Sequence, residues 1–235
     1  RVVIVGATGS IGRSALDVLS ALGPEVELTG VFSGRRTAEL ARIASEWKVA
    51  YAGVADPGAV PALRRSLPAA VRTGTTEELL ADAIADPRTD LVLNAATGAA
   101  GLPASVETVR RGKTLALANK ESMVMAGPVL MRMARESGAR ILPVDSEHSA
   151  IFQALRAGRL TEVRKVILTA SGGPFRTWSA ERMATAGPEA ALDHPTWSMG
   201  PKISIDSATL MNKALELVEA RWLFGLEPER IDAIV

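Results

Sequence analysis

The chain has 235 residues, 47% hydrophobic and 23% charged, with a formal net charge of +1 and no cysteine. This profile suits one large or two small globular domains with ample core. It excludes disulfides, thiolate metal sites and cysteine nucleophiles, and it offers no global basic field for nucleic acid. No run approaches a membrane span and no signal-peptide layout is present, so a soluble, cytoplasmic protein is expected. The sequence opens inside a strand pattern, Val2–Val5, and closes on another, Ile231–Val235, and is read as part of a longer protein.

Val2–Val5 leads into Gly6-Ala7-Thr8-Gly9-Ser10-Ile11-Gly12, and a helix is predicted from about Arg13 to Leu22, stopped by Gly23-Pro24. Strand, glycine-rich turn and helix together point to a nucleotide: glycines let the backbone approach a pyrophosphate, and the helix start presents N–H groups. The spacing is G-x-x-G-x-x-G, not the commoner G-x-G-x-x-G. The second strand, about Val26 to Ser33, ends in Gly34-Arg35-Arg36. Arginine here suits a 2′-phosphate and favours NADP over NAD; alternatively, both arginines open the next helix on its solvated side. Patterns at Thr37–Trp47, Val49–Val54, Pro57–Leu67, Thr76–Ala85, Asp90–Asn94 and Leu102–Arg111 then alternate helix and strand, with Thr75 or Thr76 and Glu78 as a helix cap. The alternation predicts an α/β fold, a doubly wound parallel sheet of Rossmann-like type.

Thr114–Ala118 is a further strand, leading to Asn119-Lys120-Glu121-Ser122 and a helix over about Met123–Glu136 that is interrupted near Gly127-Pro128. A lysine beside an asparagine and a glutamate at a strand's carboxyl end suits a phosphate, an oxyanion or a ribose hydroxyl; a surface salt bridge is the plainer alternative. Arg140–Val144 ends in Asp145-Ser146-Glu147-His148. Residues two apart in an extended chain face the same way, so Asp145 and Glu147 are expected to project together, a pair suited to Mg2+ or Mn2+; solvated loop acids are the plainer alternative for the motif alone. A helix is expected over Ser149–Ala157 and a strand over Val163–Ala170, followed by Ser171-Gly172-Gly173, a turn suited to an anion. About thirty residues of weak pattern follow and read as a lid, with Trp197 as apolar cover and His194 as polar contact. Lys202–Ile205 reads as a strand, and Asp206-Ser207 as the cap of a helix running from Ala208 to Phe224. On that helix Asn212, Lys213 and Glu216 are spaced to share one face; an ordinary i,i+3 salt bridge is the plainer alternative.

The blocks GATGSIG, LALANKESMV, LPVDSEHSAIFQ, LTASGGPF, HPTWSMG and KISIDSATLMNKALE occur in order over nearly the whole chain. By them the sequence resembles the 1-deoxy-D-xylulose 5-phosphate reductoisomerase family. One departure is Ala214, where the family usually has glycine; another is length, since family members continue through a connecting domain and a C-terminal helical domain. The resemblance implies an NADPH-binding Rossmann-like domain over residues 1–144. It also implies an α+β connecting and catalytic domain over 145–235, truncated at its C-terminus, with the lid at about 171–201. It implies that Thr8, Gly9, Ser10 and Ile11 hold the pyrophosphate and Gly34, Arg35 and Arg36 the adenosine end. Asn119, Glu121 and Gly200 would contact the cofactor, and Asp145, Glu147 and Glu216 would ligate one Mg2+ or Mn2+. Lys120, Ser146 and Glu147 would face the reacting oxygens of a sugar phosphate, with Lys120 and Glu147 catalytic. Ser171, His194, Trp197, Ser207, Asn212, Lys213 and Glu216 would surround the rest of it.

The implied reaction rearranges 1-deoxy-D-xylulose 5-phosphate and reduces the product aldehyde to 2-C-methyl-D-erythritol 4-phosphate, in isoprenoid biosynthesis by the non-mevalonate route. Retro-aldol/aldol and ketol-shift routes both remain open. A homodimer of the full-length protein is also implied, with no nucleic-acid or membrane partner. A short-chain dehydrogenase would need Tyr-x-x-x-Lys, but the sole tyrosine, Tyr51, has Ala55 in the lysine position. A semialdehyde dehydrogenase would need a cysteine. A non-catalytic NADP sensor would have no need of the three carboxylates.

Overall fold

The structure is a computed structural model that describes residues 1–196 and 199–235. Trp197, the expected lid cover, lies outside the described residues. The chain divides into two units, residues 1–144 and 145–235.

The first unit alternates strand and helix throughout. In chain order these are β1 (Val2–Val5), α1 (Ser10–Leu22), β2 (Leu28–Ser33), α2 (Thr37–Glu46), β3 (Tyr51–Val54), α3 (Val60–Arg65), β4 (Arg72–Thr75), α4 (Thr76–Ala85) and β5 (Leu91–Asn94). They continue as α5 (Leu102–Arg110), β6 (Thr114–Leu117), α6 (Lys120–Ser137) and β7 (Arg140–Pro143). The seven strands form one parallel sheet in the order β4-β3-β2-β1-β5-β6-β7. Its order reverses between β1 and β5, the switch point at which ligands bind in open α/β sheets.

Both faces of the sheet are covered, which explains why its strands read as apolar runs and not as alternations. Along β1 the side chains still point to opposite faces. Ile4 packs with Leu19, Leu40, Ile43 and Leu63, whereas Val3 and Val5 pack with Leu79, Leu80, Ile84 and Ala104. The cap expected near Thr75 is a full capping box: Thr75 Oγ1 accepts from the Glu78 amide at 3.1 Å and a Glu78 carboxylate oxygen accepts from the Thr75 amide at 2.8 Å. Helix α6 starts at Lys120, earlier than expected, because Asn119 caps it by accepting from the Ser122 amide at 3.0 Å. The interruption comes at Ala126, whose φ of −138° leaves helical space just ahead of Gly127-Pro128.

The second unit comprises α7 (Ser146–Ala154), β8 (Val166–Thr169), two short helices α8 (Ala180–Met183) and α9 (Pro188–Leu192), α10 (Pro201–Ala208), α11 (Met211–Phe224) and β9 (Ile231–Ile234). β8 and β9 pair in parallel, and Ala220 and Phe224 of α11 pack with Val166 and Leu168 of β8 in its core. Three expectations are corrected here. Asp145-Ser146-Glu147 is not extended: β7 ends at Pro143 and α7 begins at Ser146, with the Ser149 amide donating to the Asp145 carbonyl at 2.8 Å. Lys202–Ile205 is helix, not strand. Gly200 precedes the first turn and Pro201 opens it with its φ already set, and Ser204 and Ala208, four apart, form the buried face. The last long helix starts at Met211, not Ala208, because Leu210 sits in the left-handed region at φ 59° and breaks α10 from α11.

The turn after β1 is where a single added carbon matters most. Gly6 has φ +90°, and a Cβ there would lie 2.4 Å from the Ala95 carbonyl oxygen. Gly6→Ala is expected to destabilise the protein by about 2–4 kcal/mol, combining left-handed strain with a backbone clash. Urea unfolding measures it, and a loss below about 1 kcal/mol would mean the turn can shift to admit the methyl group.

Candidate active site

In the first unit the glycine turn is built around close backbone packing. A Cβ on Gly12 would lie 2.4 Å from the Gly6 carbonyl oxygen and 2.6 Å from that of Ala7, so α1 sits directly against the turn. Gly9 is the residue before α1, and Thr8 is buried while Ser10 and Ile11 are exposed at the helix start. Amides there, with the dipole's positive end, form a site for an anion. Arg36 reaches across to the turn: its Nη1 donates to the Thr8 carbonyl at 2.5 Å and lies 3.7 Å from Glu39. Gly34 and Arg35 are exposed, and a Cβ on Gly34 would meet nothing within 4 Å.

At the ends of β5 and β6, polar side chains form a buried chain that the sequence reading did not anticipate. Asn94 Nδ2 donates to the Gly101 carbonyl and to Ser105 Oγ, both at 2.8 Å; Ser105 Oγ donates to Ser122 Oγ at 3.0 Å, and Ser122 Oγ donates to Asn119 Oδ1 at 2.5 Å. Asn119 Nδ2 donates to the Ala96 and Gly98 carbonyls, each at 2.9 Å, and to Glu121 at 3.1 Å. The Asn119 side chain is thus committed to holding the 96–98 loop and the start of α6, which fixes the buried Lys120 at the first helical position. A run of small polar residues after two strand ends was the available signal.

In the second unit Asp145, Glu147 and Glu216 come together, their ligand atoms within 4.8 Å of one another. Helix geometry, not strand alternation, converges them: Asp145 immediately precedes α7, Glu147 lies in its first turn, and Glu216 lies in the second turn of α11. Three hard carboxylates at this spacing fit a divalent cation. A cation already stands among them: Lys213 Nζ donates to Glu147 Oε1 at 2.8 Å, to Glu216 Oε2 and to the Thr169 carbonyl at 2.6 Å. Ser146 Oγ donates to Glu147 Oε2 and Asn212 Nδ2 to Glu216 Oε1, each at 2.5 Å. Burial pushes the Glu147 carboxyl up, but the Lys213 ammonium and the Ser146 hydroxyl outweigh it and hold it down at about 2.

A second trio shares Asp145. The fully buried His148 and Glu219 stand with it, His148 Nδ1 lying 3.6 Å from Glu219 and 4.0 Å from Asp145. His148 Nε2 is 3.0 Å from the Glu216 carbonyl, which can only accept, so Nε2 donates to it. His148 therefore ties α7 to the turn of α11 that carries Glu216. The sequence signal for this trio is slight: His148 follows Asp145 by three residues and Glu219 follows Glu216 at helical spacing.

Ser171 and His194 also meet, Ser171 Oγ lying 3.1 Å from His194 Nε2. The Thr196 amide donates to His194 Nδ1 at 3.2 Å, so Nε2 carries the proton and donates to the serine. The Gly173 amide donates to the same Oγ at 3.3 Å. A Cβ on Gly173 would lie 2.6 Å from the Ser207 carbonyl, so this turn packs on the end of α10. Gly200 is exposed at the start of α10.

A parallel nucleotide-type sheet and a carboxylate centre in one chain define a class: dinucleotide-binding proteins with an acidic divalent-metal site. The sequence profile described as 1-deoxy-D-xylulose 5-phosphate reductoisomerase matches residues 2–127, and that of the C-terminal domain of the same enzyme matches residues 141–224. The chain belongs to the 1-deoxy-D-xylulose 5-phosphate reductoisomerase family. Curated relatives of that name from Cereibacter sphaeroides and Caulobacter vibrioides are 52% and 46% identical over 99% and 100% of this chain. The chain spans 59% of the length of each of those two. A crystal structure of DOX-P reductoisomerase in complex with NADPH, fosmidomycin and magnesium is 38% identical, with a TM-score of 0.92 over 99% of this chain and 60% of that one. The Zymomonas mobilis enzyme in complex with NADPH is 43% identical, with a TM-score of 0.88 over the same shares.

The charge pairing at Glu147 sets a pH dependence. Its folded-state pKa of about 2 lies below the ordinary 4.5, so its contribution is in place above that pH and is lost as pH falls through about 2. In metal-free buffer Glu147→Gln is expected to cost about 1–2 kcal/mol at neutral pH, allowing for solvent screening. Urea titrations of parent and variant should converge between pH 4.5 and about 2. A cost that does not change with pH would show that ionisation of Glu147 contributes nothing.

Proposed function

We propose that this chain is the cofactor-binding and metal-binding part of an enzyme that converts 1-deoxy-D-xylulose 5-phosphate to 2-C-methyl-D-erythritol 4-phosphate, using NADPH and Mg2+ or Mn2+. Family membership supports the reaction. The observation that carries the reading is the meeting of Asp145, Glu147 and Glu216 within 4.8 Å. A cofactor-binding module without chemistry has no use for such a centre, whereas an enzyme acting on adjacent carbonyl and hydroxyl oxygens does.

In this reading the turn of Thr8, Gly9, Ser10 and Ile11 seats the pyrophosphate, with the Gly9 amide itself held by the Gly6 carbonyl at 2.9 Å, and Arg35 and Arg36 supply positive charge for the 2′-phosphate beside Gly34. Asn119 acts by position, since its side chain holds the 96–98 loop; Glu121 and Gly200 contact the cofactor. NADPH supplies hydride. Asp145, Glu147 and Glu216 hold the divalent ion, which when bound polarises carbonyl and hydroxyl oxygens. Lys120, buried at the start of α6, offers its ammonium to an oxyanion of the substrate. Ser146 orients one Glu147 oxygen, and the Ser171 hydroxyl, set by the Gly173 amide and His194 Nε2, is directed to an anionic group. Trp197, Ser207, Asn212 and Lys213 complete the substrate contacts. No helix of the described residues is long and apolar enough to cross a membrane, and a cytoplasmic homodimer of the full-length protein belongs to the same reading.

The test is NADPH oxidation by the full-length protein on adding 1-deoxy-D-xylulose 5-phosphate, with and without Mn2+. Turnover is expected to need the metal and to fall by about a thousandfold or more in Glu147→Gln. Metal-independent oxidation would remove the carboxylate centre from the chemistry, and silence under all conditions would overturn the reaction.

A further inference from the structure

All four carboxylate oxygens of Glu147 and Glu216 already accept hydrogen bonds. Lys213 donates to one oxygen of each, Ser146 to the other oxygen of Glu147 and Asn212 to the other oxygen of Glu216. Lys213 is itself 7% exposed, so its charge is matched by these two acids and not by water. A divalent ion and an ammonium cannot share the same two carboxylates at contact distance without strong repulsion. We propose that Lys213 is the counter-ion that keeps Glu147 and Glu216 assembled before metal arrives, and that the metal displaces its ammonium toward the anionic group of the ligand. Metal and anion then tighten each other's binding. This rests on reading Asp145, Glu147 and Glu216 as metal ligands.

The surroundings say where the displaced ammonium goes. Its third acceptor is the Thr169 carbonyl, 2.6 Å away at the end of β8. Two residues on is Ser171, whose Oγ accepts from the Gly173 amide, and Gly173 is packed against the Ser207 carbonyl. A lysine ammonium on a flexible four-carbon stem rotates about such an anchor at little cost. Keeping the Thr169 carbonyl, it exchanges two carboxylates for an anion seated at the Ser171 turn. A cation stays at each position: the doubly charged metal replaces the ammonium among the carboxylates, and the ammonium meets the anion. Coupling of this kind is reciprocal, so an anion that draws Lys213 away raises metal affinity by the same factor by which metal raises anion affinity.

Mn2+ titrations by calorimetry on the full-length protein test this, with and without glycerol 3-phosphate as a phosphomonoester probe. The parent, Lys213→Met and Glu216→Gln are compared. Lys213→Met is expected to bind Mn2+ about tenfold more tightly than the parent without the probe. The probe should tighten Mn2+ binding in the parent and leave it unchanged in Lys213→Met. Equal or weaker Mn2+ binding by Lys213→Met overturns the proposal, as does coupling that survives in that variant. Loss of Mn2+ binding in Glu216→Gln confirms the ligand reading independently; unaltered binding there sinks the ligand reading and this proposal with it. If removing the charge leaves Lys213→Met unfolded, Lys213→Gln takes its place, and its larger Mn2+-induced rise in melting temperature relative to the parent is the supporting result.

Discussion

Carboxylates brought close together in a space poor in water repel one another, and they stay together where a cation lies between them. Much of the second unit is arranged around that constraint. Glu147 comes from the first turn of α7 and Glu216 from α11, and Lys213, one turn ahead of Glu216, carries the charge that joins them. Leu210, in left-handed conformation, sets where α11 begins and so where Lys213 and Glu216 point. Ala220 and Phe224 seat the rest of the helix on β8. Apolar packing thus fixes one end of α11, and charge balance fixes the other.

The first unit solves a different problem. The start of α6 lies beside two strand ends, and its side chains Asn119, Lys120 and Ser122 are buried. Buried polar groups are costly unless they are paired. The chain from Asn94 through Ser105 and Ser122 to Asn119 meets that cost and makes the loop after β5 and the start of α6 one connected piece. A lysine presented from such a support has little freedom at its backbone.

The sequence was informative where local pattern and final environment agree. β1, the glycine turn and α1 were legible because a strand buried on both faces is an unbroken apolar run and the turn has no room for side chains. Thr75 and Glu78 declared their helix start by chemistry alone. Lys202-Ile203-Ser204-Ile205 misled because it alternates like a strand, whereas Gly200-Pro201 starts a helix there. Asp145 and Glu147 do come together, but from a helix start and not from strand alternation. His148 and Glu219 escaped notice because they meet through tertiary packing of α7 on α11, which no local spacing announces. The commitment of Asn119 to its neighbouring loop is of the same kind.

The unequal crowding of the glycines has a practical reach beyond folding. Gly6 and Gly12 are sealed by backbone oxygens at 2.4 Å, whereas Gly34 opens onto nothing within 4 Å. An engineer varying this scaffold therefore has one usable glycine, at the end of β2, and two that are closed. Side chains installed at Gly34 and its exposed neighbour Arg35 can be varied as a library without disturbing the sheet. The turn itself must be inherited unchanged, and the same asymmetry leaves natural drift free to act at the end of β2 and not at the end of β1.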